Sequence, residues 1–133
     1  MDTATLTLTR PLRVLVVDDN PDAADSMALV LQQAGHETHV AWNGEDALAA
    51  AREARPDVVL LDLGMPCMNG FETAHRLREG AKSGAPVLVA VTGWGSDDDR
   101  RRTREAGFAH HLVKPVDPAE VLEIVARSGP NAQ

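Results

Sequence analysis

The chain has 133 residues, 44% of them apolar, and a net charge of −7. That is long enough for one domain around a single core and too apolar for a disordered segment. The acidic balance excludes general affinity for nucleic-acid phosphates, and two Trp and two Phe with no Tyr leave little for a base-stacking surface. No apolar run reaches the length of a membrane span. Residues 1–10 lack the basic and apolar regions of a signal peptide, so a cytoplasmic location is expected. A single cysteine, Cys67, has no partner for an internal disulfide, which agrees with a reducing compartment.

The elements alternate along the chain. Strand 1 is read at Leu12–Val17. Helix 1 opens at Asn20-Pro21, with Pro suited to a first helical turn. It carries Ala23, Met27, Val30, Leu31 and Ala34 on one side and stops at Gly35. Strand 2, about Glu37–Ala41, is short and polar and belongs at an edge. Helix 2 runs over about Gly44–Ala54, capped by Asn43, with Ala47, Leu48 and Ala51 inward. Strand 3 is Val58–Leu61. Helix 3 starts near Gly70 and buries Phe71, Ala74 and Leu77, with a loop from Gly80 to Pro86. Strand 4 is Val87–Val91. Helix 4 follows Ser96 as its cap, with Asp97, Asp98 and Asp99 favourable in its first turn. Strand 5 is His110–Val113. Helix 5 opens on Asp117-Pro118-Ala119-Glu120, read as a cap, a first-turn Pro and a capping-box Glu. Val121, Leu122 and Val125 form its buried stripe. Residues 1–10 and 129–133 are expected to be loose tails flanking a domain over 11–128.

Strands 1, 3 and 4 are continuously apolar, as strands covered on both faces are. The pattern therefore gives a doubly wound α/β fold, a parallel (βα)5 sheet in the order 2-1-3-4-5. That order brings Asp18, Asp19, Asp62, Thr92 and Lys114, each directly behind an apolar run, to the carboxyl edge where such folds bind ligands. Three carboxylates together are costly unless a cation joins them. Helix 4 stands apart. Ser96 to Ala106 contains no Leu, Ile, Val, Met or aromatic residue, so its burial supplies only ~1–2 kcal/mol from Ala and alkyl stems. A helix held that weakly is a candidate for movement.

Four motifs in order, Val16-Val17-Asp18-Asp19-Asn20, Leu60-Leu61-Asp62-Leu63-Gly64-Met65-Pro66-Cys67-Met68-Asn69-Gly70, Val91-Thr92-Gly93 and Val113-Lys114-Pro115, resemble the receiver domain of two-component response regulators. The resemblance covers about residues 12–127 and implies a flavodoxin-like sheet. It implies that Asp62 is the phosphoacceptor, taking a phosphoryl group from a phosphohistidine of a sensor histidine kinase or phosphotransfer protein, and that the protein is a signalling switch whose only chemistry is its own phosphorylation and dephosphorylation. A carboxylate is a competent nucleophile for this step. Magnesium, with manganese as alternative, would be held by Asp18, Asp19, Asp62 and the Gly64 backbone carbonyl, an oxygen set suited to a hard cation. The Thr92 hydroxyl and Gly93 N–H would bind phosphoryl oxygens. The Lys114 ammonium would pair with Asp62 and then with the phosphoryl group. The family has a cis peptide at this Lys-Pro bond.

Three positions depart from the commoner pattern. His111 stands where the family mostly carries Tyr or Phe, a residue that turns inward as the Thr moves toward the phosphoryl group. His titrates near neutral pH, so coupling to the helix 4–strand 5–helix 5 face, where a downstream protein target would dock, is expected to be pH-sensitive. Gly64 and Trp94 occupy places that tune acyl-phosphate hydrolysis in the family. Gly64 offers no side chain to position water, whereas Trp94 is bulky enough to overhang the site. Cys67 has no basic neighbour in sequence to lower its pKa and reads as incidental. Two other functions compete with the switch. A phosphohydrolase of the haloacid-dehalogenase type also uses an Asp nucleophile and magnesium, but it needs a second acid where Gly64 stands. A degenerate, unphosphorylated interaction module would not need all five strand-end residues. Neither a nucleic-acid nor a membrane partner is expected, and whether the chain is a stand-alone regulator or part of a hybrid kinase stays open.

Overall fold

In the computed structural model, which describes residues 11–64, 69–81 and 84–128, strands and helices alternate from end to end. They are β1 (Arg13–Val17), α1 (Pro21–Gln33), β2 (Glu37–Ala41), α2 (Gly44–Ala54), β3 (Val58–Asp62), α3 (Gly70–Ala81), β4 (Val87–Thr92), α4 (Asp97–Glu105), β5 (His110–Val113) and α5 (Pro118–Arg127). Every neighbouring strand pair is parallel, and the order is β2-β1-β3-β4-β5. The expected tails, and Met65 to Met68 with Cys67, lie outside the described residues.

Successive strand side chains point to opposite faces, and the central strands are apolar on both. Val14, Val16, Leu60, Val89 and Val91 pack with Leu31 of α1 and with Val121 and Val125 of α5. Leu15, Val17, Val59, Leu61, Leu88 and Ala90 pack with Ala47 of α2, Ala74 and Leu77 of α3, and Phe108. Polar β2 sits at an edge, as its composition required.

The helix starts are set by caps. Asn20 Oδ1 accepts from the Asp22 and Ala23 N–H groups ahead of Pro21. Asn43 accepts from Asp46 N–H, and Asp117 accepts from Ala119 N–H. The capping box falls at α4, where Ser96 and Asp99 bond reciprocally. Glu120, which the sequence offered for that role in α5, is an exposed first-turn acid instead.

Other expectations shift by a fraction of a turn. The buried residues of α1 are Ala24, Ala28 and Leu31, whereas Ala23 and Ala34 are exposed. The true stripe uses the smaller alanines to bring α1 close to the sheet. Phe71 is only half-buried because Thr73 takes the inward position beside Ala74. α3 continues through Gly80 to Ala81.

α4 buries one residue, Thr103. Its other attachments are polar or cationic. The Arg102 guanidinium lies 5.5 Å from the Phe71 ring centroid, and Phe71 meets Phe108 edge to face. Arg78 Nη1 of α3 donates to the Ala106 carbonyl at the end of α4, at 3.3 Å.

Candidate functional site

Strand register assembles the site. Val17 of β1 lies opposite Leu61 of β3, so Asp18 and Asp62 leave the sheet side by side. Asp62 lies opposite Val91 of β4, and Thr92 lies opposite Val113 of β5. Thr92 and Lys114 are therefore one step further along each strand. The Lys114 N–H donates to the Thr92 carbonyl at 2.8 Å and locks this stagger. The peptide between Lys114 and Pro115 is cis.

Asp62 is the buried member, with its side chain only 5% exposed. Its Oδ2 accepts from Lys114 Nζ at 2.8 Å and its Oδ1 accepts from the Gly64 N–H at 2.8 Å. A Cβ at Gly64 would lie 3.3 Å from Asp62 Oδ1, closer than most side chains tolerate. Carboxylate oxygens of Asp18, Asp19 and Asp62 all lie within 4.8 Å of one another. Asp18 Oδ1 also accepts from the Asn20 N–H at 3.0 Å, so it helps start α1 as well. Burial pushes the Asp18 carboxyl above its ordinary range; the Asn20 bond opposes this and the Asp62 charge adds to it. Burial alone would lower Lys114, but its hydrogen bond to Asp62 and the charges of Asp62, Asp18 and Asp19 hold it above the usual lysine value.

The donor set is oxygen only, close-spaced and three-fold acidic, which suits a hard divalent cation. The single ammonium of Lys114 leaves the cluster with excess negative charge, and a cation would neutralise it. The chemistry of these residues therefore fits magnesium.

Thr92 is buried, and its Oγ1 accepts from the Trp94 N–H at 3.1 Å. Gly93 lies in the exposed loop between them. Trp94 is 61% exposed. His111 is not a free rotor: its Nε2 lies 2.8 Å from the Trp94 carbonyl oxygen and its Nδ1 3.0 Å from Thr103 Oγ1. Thr103 went unnoticed in the sequence. The available signal was that it is the only uncharged side chain in Asp97–Glu105. Beside Asp62 opens a cleft of about 270 Å³, walled by Ala23 and Met27 of α1, Leu60, Val91, Pro115 and Val116.

Residues 14–126 match the model of the response regulator receiver domain. The chain is 35% identical over 85% of its length to protein PilH of Pseudomonas aeruginosa, covering 93% of that protein. It is 42% identical over 83% of its length to the DNA-binding response regulator MtrA of Mycolicibacterium smegmatis, where it spans about half, 47%, of the relative. Its structure superposes on the Vibrio cholerae chemotaxis protein CheY4 with a TM-score of 0.83 at 32% identity, over 90% of this chain and 100% of that one. Family match, relatives and structural likeness agree with the strand order: the chain belongs to the response regulator receiver domains, the phosphorylation-controlled switches of two-component signalling.

Proposed function

We propose that Asp62 is the phosphoacceptor of this switch and that the residues around it have separate duties. The observation that carries this is the buried Asp62 carboxylate, paired with Lys114 and within 4.8 Å of two further carboxylates. A carboxylate oxygen of Asp62 attacks phosphorus, the bond from phosphorus to the donor imidazole nitrogen breaks, and that nitrogen keeps the electron pair. An acyl phosphate results. The step needs placement and charge neutralisation more than proton transfer.

Asp18, Asp19 and Asp62, with the Gly64 carbonyl, would hold magnesium, which neutralises phosphoryl charge when bound. Lys114 moves its ammonium from the carboxylate to a phosphoryl oxygen, and Thr92 and Gly93 receive the others. The phosphodonor is a sensor histidine kinase or a phosphotransfer protein, and the apolar-walled cleft between α1 and Val116 gives its helix a place to rest beside Asp62. A downstream protein target would dock on the α4–β5–α5 face. Residues 11–128 form the receiver unit, in a cytoplasmic setting.

Incubation with a phosphorylated histidine phosphotransfer protein and magnesium tests the assignment. One acid-stable, base-labile phosphate per chain is expected, lost in Asp62→Asn and without chelatable metal. Full labelling of Asp62→Asn would overturn it.

A further inference from the structure

One unbroken line of hydrogen bonds runs from Thr92 to the buried face of α4. The Trp94 N–H donates to Thr92 Oγ1, the Trp94 carbonyl faces His111 Nε2, His111 Nδ1 faces Thr103 Oγ1, and the Thr103 hydroxyl lies 3.0 Å from the Arg100 carbonyl. The loop between β4 and α4 is thus tied to α4 through the imidazole ring, beside the bond that Arg100 Nε donates to the Gly95 carbonyl at 3.2 Å.

The hydrogens in that line can be counted. A carbonyl only accepts, so Nε2 must carry a hydrogen to bond Trp94. A hydroxyl has a single hydrogen. With a neutral ring, Nδ1 is an acceptor and Thr103 must choose between it and the Arg100 carbonyl. With an imidazolium, Nδ1–H donates to Thr103 Oγ1 and the hydroxyl donates to Arg100. Every contact is made at once only when the ring carries both hydrogens.

We propose that proton uptake by His111 tightens the tether between the phosphoryl-sensing loop and α4, so that this switch responds to pH as well as to phosphorylation. The inference rests on the reading that Asp62 is phosphorylated and that Thr92 is drawn toward the phosphoryl group. When Thr92 leaves the Trp94 N–H, Trp94, whose carbonyl His111 holds, is released to rearrange. The doubly protonated ring opposes that movement, and the neutral ring, one bond short, eases it.

Charged groups surround the ring. His111 lines a cleft of about 390 Å³ between α4, β5 and α5. Asp99 of α4 lies close enough to interact with His111 electrostatically. Arg100 and Arg104 of α4 line the same cleft. From α5, Glu120, Glu123 and Arg127 face the same cleft, with Arg127 paired to Glu123 at 2.9 Å. His110 of β5 is held below the ordinary imidazole value by burial and by Arg127, so it charges at lower pH.

The test uses the full chain with magnesium and beryllofluoride, a phosphoryl mimic, at about pH 6 and about pH 8, the range in which imidazoles change charge. Half-saturation of wild type is expected to worsen on acidification by about threefold more than that of His111→Phe, a difference of roughly 0.6 kcal/mol. The carboxylate cluster is common to both proteins and cancels in the comparison. Thr103→Val keeps the imidazole but removes its partner, and it should lose the same pH response; it also carries the test if His111→Phe does not fold. In a Trp42→Phe background, the emission of Trp94 without ligand should shift with pH, and the shift should vanish in both variants. An equal acid effect in wild type and variants, by either readout, overturns the tether. Beryllofluoride that fails to bind at either pH overturns the phosphoacceptor reading instead, and the emission of the unliganded protein then decides the tether by itself.

Discussion

Replacing Asp18 by Asn separates a metal site from a structural cap. Asn keeps an oxygen for the Asn20 N–H, so the start of α1 survives. What disappears is one negative charge that lies within 4.8 Å of Asp19 and of Asp62. At that separation each repulsive pair costs about 0.9 kcal/mol with the dielectric of water, the appropriate limit for a half-exposed carboxylate. Some attraction to Lys114 is lost as well, so Asp18→Asn should stabilise the metal-free protein by about 1 kcal/mol, or roughly 3–5 °C in Tm. Magnesium at a hundredfold excess over its Kd should stabilise wild type by about 2.7 kcal/mol and the variant by much less. The order of stability therefore inverts: the variant melts higher in chelator and lower in saturating magnesium. In chelator the advantage also shrinks as the pH falls. Asp18 is held above its ordinary range in the fold, so its destabilising charge is present above the folded value and is relieved on protonation. Thermal melts in chelator and in magnesium are sufficient. A variant less stable by the same amount in both would mean that Asp18 is a structural cap and that the metal assignment is wrong.

His36 is buried, and its Nδ1 accepts the Leu12 N–H at 3.1 Å, which requires a neutral ring. Burial holds it below the ordinary imidazole value, so its stabilising bond is complete above the unfolded value of about 6.5 and is lost as the pH falls below it. Urea midpoints should decline from about pH 7 to about pH 5.5, and more steeply in wild type than in His36→Gln, where His110 still contributes with this sign. Equal slopes would refute this. Gly70→Ala puts a Cβ onto Leu63 Cδ2, the end of a half-buried side chain that must swing aside; the cost in urea should stay at or below about 1 kcal/mol, the low end of overpacking, and weaker beryllofluoride binding should accompany it because Leu63 follows Asp62. Trp94→Ala should change the dephosphorylation rate by more than about threefold, roughly 0.6 kcal/mol in the barrier, in a phosphate-release assay. Unchanged decay would make the indole a bystander.

The sheet was legible because its signals are local and repeated. Apolar runs of strand length, punctuated by Gly, Pro and Asn caps, gave β2, α2 and β5 their observed ends, and the polar character of β2 gave its edge position. The strand-end residues were legible because parallel register leaves little freedom in where Asp18, Asp62, Thr92 and Lys114 emerge. Side-chain partners carried no such signal. Whether α1 buries Ala23 or Ala24 turns on a rotation of one residue that periodicity does not resolve. The choice between Glu120 and Asp99 as capping-box partner depends on side-chain geometry, since both sit three residues after a plausible cap. The contacts of His111 join residues 17 and 8 positions apart in sequence, and no spacing rule anticipates them.

The same limit explains α4. Composition shows that the helix lacks apolar side chains; it does not show what replaces them. The structure supplies a buried Thr103, an Arg102 over Phe71, an Arg78 on the terminal carbonyl and a His111 bridge. Directional bonds differ from apolar packing in kind. Burial falls off smoothly as a helix slides, whereas a hydrogen bond is lost over a fraction of an ångström and with misalignment. A helix held in this way has discrete positions, each defined by which bonds are made. One of its bonds reaches, through His111 and the Trp94 peptide, to the Thr92 hydroxyl beside Asp62. In the proposed switch, shallow apolar burial leaves α4 free to move, and the hydrogen-bonded tether couples that movement to the site.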